Sequence, residues 1–172
     1  MKKVILTFGV LSGIIPITVM VLGMLFGSGH ATGSMVLGYS IMLLCTLFIF
    51  FGIKSYRDNY NDGIISFGKA FQVGILITLV SALMYTLAWE VIYFNFMNDM
   101  MDGYFAAEAE SLKIAGASQE KIQETIDMGI KYKTNPLYNS MFTILESTPV
   151  TIPMTLIASL VMKRKTKKEA TA

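Results

Sequence analysis

Phe50-Phe51-Gly52-Ile53-Lys54-Ser55-Tyr56-Arg57-Asp58-Asn59-Tyr60-Asn61-Asp62-Gly63, continuing through Ile64-Ile65-Ser66-Phe67-Gly68-Lys69-Ala70-Phe71, is a short basic segment between two long apolar runs. Lys54, Arg57 and Lys69 stand where one membrane-spanning helix leaves the bilayer and the next enters it, and Tyr56 and Tyr60 suit the headgroup layer. Lys54, Tyr56, Arg57 and Lys69 are therefore the candidate residues of a cytoplasmic joint from which the other segments are oriented. Asp58 opens a stretch with the outline of a calcium loop, but Tyr60 occupies the third position and Lys69 the twelfth, where Asp or Asn and a bidentate Glu belong. The Asx and Gly residues here read as turn formers.

Composition agrees with this reading. Of 172 residues, 53% are hydrophobic and only 15% charged, which is too apolar for an ordinary soluble domain. A single cysteine, Cys45, rules out an intramolecular disulfide and a cysteine zinc site, and reads as a small packing residue.

The expected fold is all-α: one polytopic membrane domain over residues 1–172, with four spans at about 4–26, 35–53, 70–94 and 138–162. The first uncharged run is too long for the roughly 7–15-residue core of a signal peptide, so it is read as a span that is retained. Gly9 and Gly13 within it have a spacing that permits close helix approach, with packing inside the chain as its default use. A small turn at 27–34 follows, and its His30, the only histidine, reads as incidental. Ser66 suits the cap of the third helix, which ends in an interfacial girdle of Tyr85, Trp89, Tyr93 and Phe94.

Residues 97–135 differ in kind. They hold seven acids and four bases, divide at Gly116-Ala117-Ser118, and form an expected amphipathic helical hairpin on the extracytoplasmic side. Ile122, Ile126 and Ile130 are the expected apolar face of its second helix, and Met97, Met101, Tyr104, Phe105 and Leu112 that of the first. Asn135-Pro136 ends the hairpin. The last span carries Pro149 and Pro153 and is followed by Lys163-Arg164-Lys165-Thr166-Lys167-Lys168, a cluster that suits nucleic-acid or anionic-lipid binding but beside a span reads first as orientation and headgroup anchoring, with no nucleic acid expected as a partner. Ten of the fourteen basic residues then lie on one side, so both termini are expected in the cytoplasm.

Two carboxylates fall within spans. Glu90 lies about two turns before its helix exits and Glu146 about two turns after its helix enters, which sets them at similar depth in the outer leaflet. A charge there is expensive, so each is expected to face the bundle or a wet crevice. They form the candidate intramembrane functional pair. The structural alternative gives Glu146 a tyrosine such as Tyr85 or Tyr93, or backbone near Pro149, as its partner.

The joint from Phe50 to Asp58, Gly63, and the run Ile65-Ser66-Phe67-Gly68-Lys69-Ala70-Phe71 resemble the signature of the domain of unknown function 4199 family. The likeness extends over nearly the whole chain, to the amphipathic segment, Asn135-Pro136-Leu137, and Glu146 with Pro149. The resemblance implies a small bacterial four-span membrane protein, mostly of Bacteroidota, with no assigned activity and hence no functional residues to carry over.

No HExxH, nucleophile elbow or phosphate-binding glycine loop is present. The expectation is a non-enzymatic integral protein of the bacterial inner membrane without cofactor, catalytic residue or metal, acting through protein or lipid contacts. Its expected partners are the bilayer, and a membrane protein or a second copy of the chain. The alternative is a small transporter or ion-coupled accessory subunit using Glu90 and Glu146.

Overall fold

The computed structural model describes residues 1–25 and 35–164, so the turn at 27–34 with His30, and Lys165, Lys167 and Lys168, lie outside the described residues. The described chain is all-helical: α1 (Lys2–Leu25), α2 (Met35–Tyr60), α3 (Phe67–Ile92), a π-helical turn (Tyr93–Met97), α4 (Met100–Ile114), α5 (Gln119–Thr134) and α6 (Pro136–Met162). Among the described residues four segments are long and apolar enough to cross a membrane: Lys2–Gly23, Gly38–Tyr60, Phe67–Met97 and Pro136–Met162. The prolines do not break their helices; Pro136 opens α6, where a missing N–H costs nothing, and Pro149 and Pro153 lie inside it.

The second helix outruns its expected end at Ile53 by two turns and closes at Tyr60. Lys54 and Arg57 are good helix formers, and a cation near a helix C-terminus is favoured by the backbone dipole. The true turn is therefore short. Asp62 and Gly63 take positive φ values of 51° and 74°, and the Gly63 N–H donates to the Arg57 carbonyl at 2.9 Å. Ser66 then caps α3 by accepting from the Lys69 N–H at 3.3 Å, as expected.

Contacts group the chain into two compact units, Met1–Tyr85 with Ser147–Ala172, and Thr86–Glu146. In the first, the core is formed by Val4, Ile5, Ile49, Ile53, Val73 and Ile77, with Ala70, Ala158, Tyr56 and Ile65. These belong to the start of α1, the end of α2, the start of α3 and the end of α6, so the core lies at the joint. Farther along, small residues let backbones approach. A methyl placed on Gly9 would stand 2.7 Å from Val80 Cβ and 3.1 Å from the Ile77 carbonyl, and one on Gly13 would meet Ser81. Gly9 and Gly13 thus serve packing within the chain. Short polar links bind the same helices: Ser81 Oγ donates to Ser12 Oγ, and Ser12 Oγ to the Cys45 carbonyl, each at 3.2 Å.

In the second unit α4 packs on α5. Gly116, at φ 71°, ends α4 with the Ala117 N–H returning to the Leu112 carbonyl, and Ser118 caps α5 by accepting from the Lys121 N–H. The face that α5 buries is not the expected isoleucine row. Ile122 is 5% exposed, but Ile126 is 39% and Ile130 57% exposed, whereas Thr125 and Tyr132 are buried. Steps of four residues advance the face by about 40° each, so a fixed spacing of four drifts off the core, while the 3-4-3 spacing of 122, 125, 129 and 132 stays on it. Gly129 completes that face, since a side chain there would press to 2.9 Å from Phe105. Among the described side chains of α4, Phe105 and Ala109 are buried and Tyr104 is exposed.

Candidate functional site

At the joint the structure joins residues that are far apart in sequence. Arg57 Nε donates to Asp58 Oδ1 at 2.6 Å and Nη2 to Oδ2 at 3.2 Å, while Nη1 donates to the Met162 carbonyl at 3.2 Å. One guanidinium thus neutralises its neighbouring carboxylate and satisfies an open carbonyl at the C-terminus of α6, where positive charge is favoured. Two residues beyond Met162, Arg164 exchanges two backbone hydrogen bonds with Ile65, Ile65 N–H to the Arg164 carbonyl at 3.1 Å and Arg164 N–H to the Ile65 carbonyl at 2.9 Å. Tyr56 is buried, its ring stacked on Tyr60 with centroids 6.3 Å apart, and Lys69 Nζ lies 5.9 Å above the Tyr56 ring while donating to Gln72 Oε1. Of the four candidate joint residues, Tyr56, Arg57 and Lys69 are engaged in these contacts; Lys54 is exposed.

The two carboxylates are placed differently. Glu90 is half-buried and its Oε1 accepts from Ser140 Oγ of α6 at 2.8 Å. Glu146, six residues beyond Ser140, is exposed on α6, and its charge reaches the Tyr132 hydroxyl through space. No hydrogen bond joins Glu90 to Glu146. Among the described residues no group of three His, Cys, Asp or Glu side chains is placed to hold a metal ion.

Tyr132 is the centre of the second unit and was not singled out by sequence. Its ring packs against Tyr93, Phe105 and Phe142 with centroids 5.3, 5.8 and 5.4 Å away. The Trp89 indole N–H donates to its hydroxyl at 2.9 Å, and the buried Asn139 donates to its carbonyl at 3.3 Å. Tyr93, fully buried, is seated where the helix widens to π geometry, and its hydroxyl donates to the Asn98 carbonyl. At the edge of the unit Lys133 Nζ bonds both Asp99 Oδ1 at 2.7 Å and Asp102 Oδ2 at 2.6 Å, and these carboxylates, Asp102 foremost, hold the ammonium above the usual lysine range. The signal in the sequence was aromatic density around a helix with few apolar residues, but aromatic residues alone do not reveal which ring lies at the centre.

Burial pushes the Tyr132 phenol up to about 12, against hydrogen bonds from Thr143 and Trp89 that favour its ionised form. The folded value lies above the unfolded one, so the contribution to stability is full below pH ~10 and is lost as pH rises through ~12, because the unfolded chain gives up the proton first. Two pH units correspond to an effect on the order of 3 kcal/mol. Unfolding of the wild type and of Tyr132→Phe, followed from pH ~9 to ~12, should show a steeper alkaline loss in the wild type, because the Lys133 ion pairs, which weaken at high pH in both, are left in place by the variant. Parallel slopes would contradict it.

No curated protein and no solved structure matches the chain. A family match extends from residue 7 to residue 164, across both units, the joint and both carboxylates. The chain therefore belongs to the family described as protein of unknown function (DUF4199).

Proposed function

We propose that the protein is an integral protein of the bacterial inner membrane, one domain crossing it four times, with both termini in the cytoplasm and the amphipathic α4–α5 hairpin outside. The observation that carries this reading is the small burial of the four apolar segments: in the most apolar stretch of each only 28, 22, 28 and 17%, in chain order, is enclosed by protein. Leu87, Leu145 and Val161 are each more than 60% exposed, and a soluble surface does not present apolar area on that scale. Lipid is the natural cover. Orientation follows from charge: Lys2, Lys3, Lys54, Arg57, Lys69, Lys163 and Arg164 all belong to helix ends of the first unit that meet at the joint.

The protein acts without catalysis, through contacts with lipid or with another membrane protein. This reading is supported by the state of the conspicuous polar groups, which are engaged with one another: Arg57 with Asp58 and Met162, Glu90 with Ser140, Tyr132 with Trp89. The Glu90–Ser140 bond favours a structural carboxylate over an ion relay. A reporter active only outside the cytoplasm should be silent when fused to the carboxy terminus and active when inserted at Ala117, in the α4–α5 turn. The opposite pattern would reject the topology, and recovery of the chain without detergent would reject membrane residence.

A further inference from the structure

We propose that the joint binds the phosphate of an anionic lipid headgroup, using Lys54, Lys163 and Arg164 on a platform fixed by Arg57 and the Ile65–Arg164 bridge. The inference rests on membrane residence and names the lipid that this face would take. Around the turn between α2 and α3 and at the end of α6 stand Lys54, Arg57, Lys69, Lys163 and Arg164, with Lys2 and Lys3 at the start of α1, against the carboxylates of Asp58 and Asp62. Asp58 is already held by two bonds from Arg57, and Lys69 is occupied by Gln72 and the Tyr56 ring. Lys54, Lys163 and Arg164 are exposed, and among the described residues none of their side chains makes a hydrogen bond or ion pair.

Their placement is fixed from below. Lys54 precedes Asp58 by one helical turn on α2, and both Lys54 and Arg164 lie within Coulombic reach of that carboxylate. Arg57 ties the same turn to the end of α6, and the two backbone bonds at Ile65 hold Arg164 in register. Lys54 and Arg164 are thus gathered about one carboxylate, with Lys163 next to Arg164 in the chain. Arg164 supplies a planar fork suited to two phosphate oxygens, and the lysines supply point charges beside it. In a bilayer this end of the spans is at headgroup depth, where a lipid phosphate is at high local concentration and its acyl chains can lie along the exposed apolar helix flanks.

The test uses the full chain reconstituted in vesicles of equal phosphatidylglycerol and phosphatidylcholine, extracted in mild detergent, with the retained lipids quantified by mass spectrometry. Phosphatidylglycerol should be enriched, and Lys54→Gln, Lys163→Gln and Arg164→Gln should each lower the enrichment about fivefold. Lys121→Gln with Lys131→Gln, exposed cations on α5 in the second unit, should change it less than about twofold. An equal fall in that control would show diffuse charge instead of a site. Salt should erode the wild-type enrichment steeply, a reading that needs no variant. Complete displacement by inorganic phosphate would assign the cations to a free anion and overturn the lipid. Alkaline extraction of the same vesicles separates the two ideas: a chain that stays in the membrane without enrichment refutes this inference alone, and a chain that washes off refutes membrane residence and this inference together.

Discussion

Replacing Tyr132 by alanine is expected to destabilise the second unit by about 3–5 kcal/mol, the range for removing a large aromatic side chain from a core. The ring touches three aromatic partners and is 3% exposed, so the vacated space cannot be filled by surface side chains. The change also leaves the Trp89 N–H without its acceptor, an additional cost of about 1–3 kcal/mol if no water reaches it. Tyr132→Phe keeps the packing and loses only the hydrogen bonds of the hydroxyl, to Trp89 and Thr143, so it should fall well short of the alanine variant. Hydrogen exchange along α4 and α5 reads both. Similar protection in the wild type and Tyr132→Ala would mean that the aromatic cluster does not hold these helices.

The second large effect is expected at Gly9. Leucine there has to occupy space that Val80 Cβ, Val80 Cγ1 and the Ile77 carbonyl already hold at 2.7, 2.7 and 3.1 Å from the first added carbon. Two of these obstacles, the Val80 Cβ and the carbonyl, are backbone or attached to it and cannot swing away as a rotamer does. The cost is about 3 kcal/mol, at the upper end of the range for overpacking, and alanine should cost about 1–2 kcal/mol. Val80→Ala removes Cγ1 but not Cβ, so it should restore Gly9→Ala only in part. Thermal unfolding in detergent measures the series, and a neutral Gly9→Leu would show that α1 and α3 do not approach as closely as described.

These two sites differ in how much of them the sequence discloses. Apolar runs announce α1, α2, α3 and α6 because outward-facing and core-facing positions are both hydrophobic, so length alone marks the helices. For the same reason the runs do not reveal which flank packs inward, and the contact of Gly9 with Val80 emerges only from the structure. The hairpin helices and their caps at Ser118 and Gly116 follow from local chemistry, but the buried face of α5 does not, since Gly129 and Thr125 carry no apolar signal. At the joint, the sequence points to Lys54, Tyr56, Arg57 and Lys69 by charge and position. It is silent on the Met162 carbonyl, 105 residues from Arg57, because a backbone acceptor has no side-chain signature. Glu90 and Glu146 looked alike by depth, yet only the structure separates a carboxylate bonded to Ser140 from one left exposed.

The central claim is that four helices place the joint and both ends of the chain on one side of a membrane and α4–α5 on the other. Single cysteines at Tyr60, Lys163 and Ala117, each in a Cys45→Ser background, can be treated in sealed right-side-out vesicles with a membrane-impermeant thiol reagent. The account predicts that the cysteine replacing Ala117 is labelled at once, and that those replacing Tyr60 and Lys163 react only after the vesicles are opened. Labelling of all three in sealed vesicles, or of the Tyr60 and Lys163 positions in place of Ala117, would contradict it.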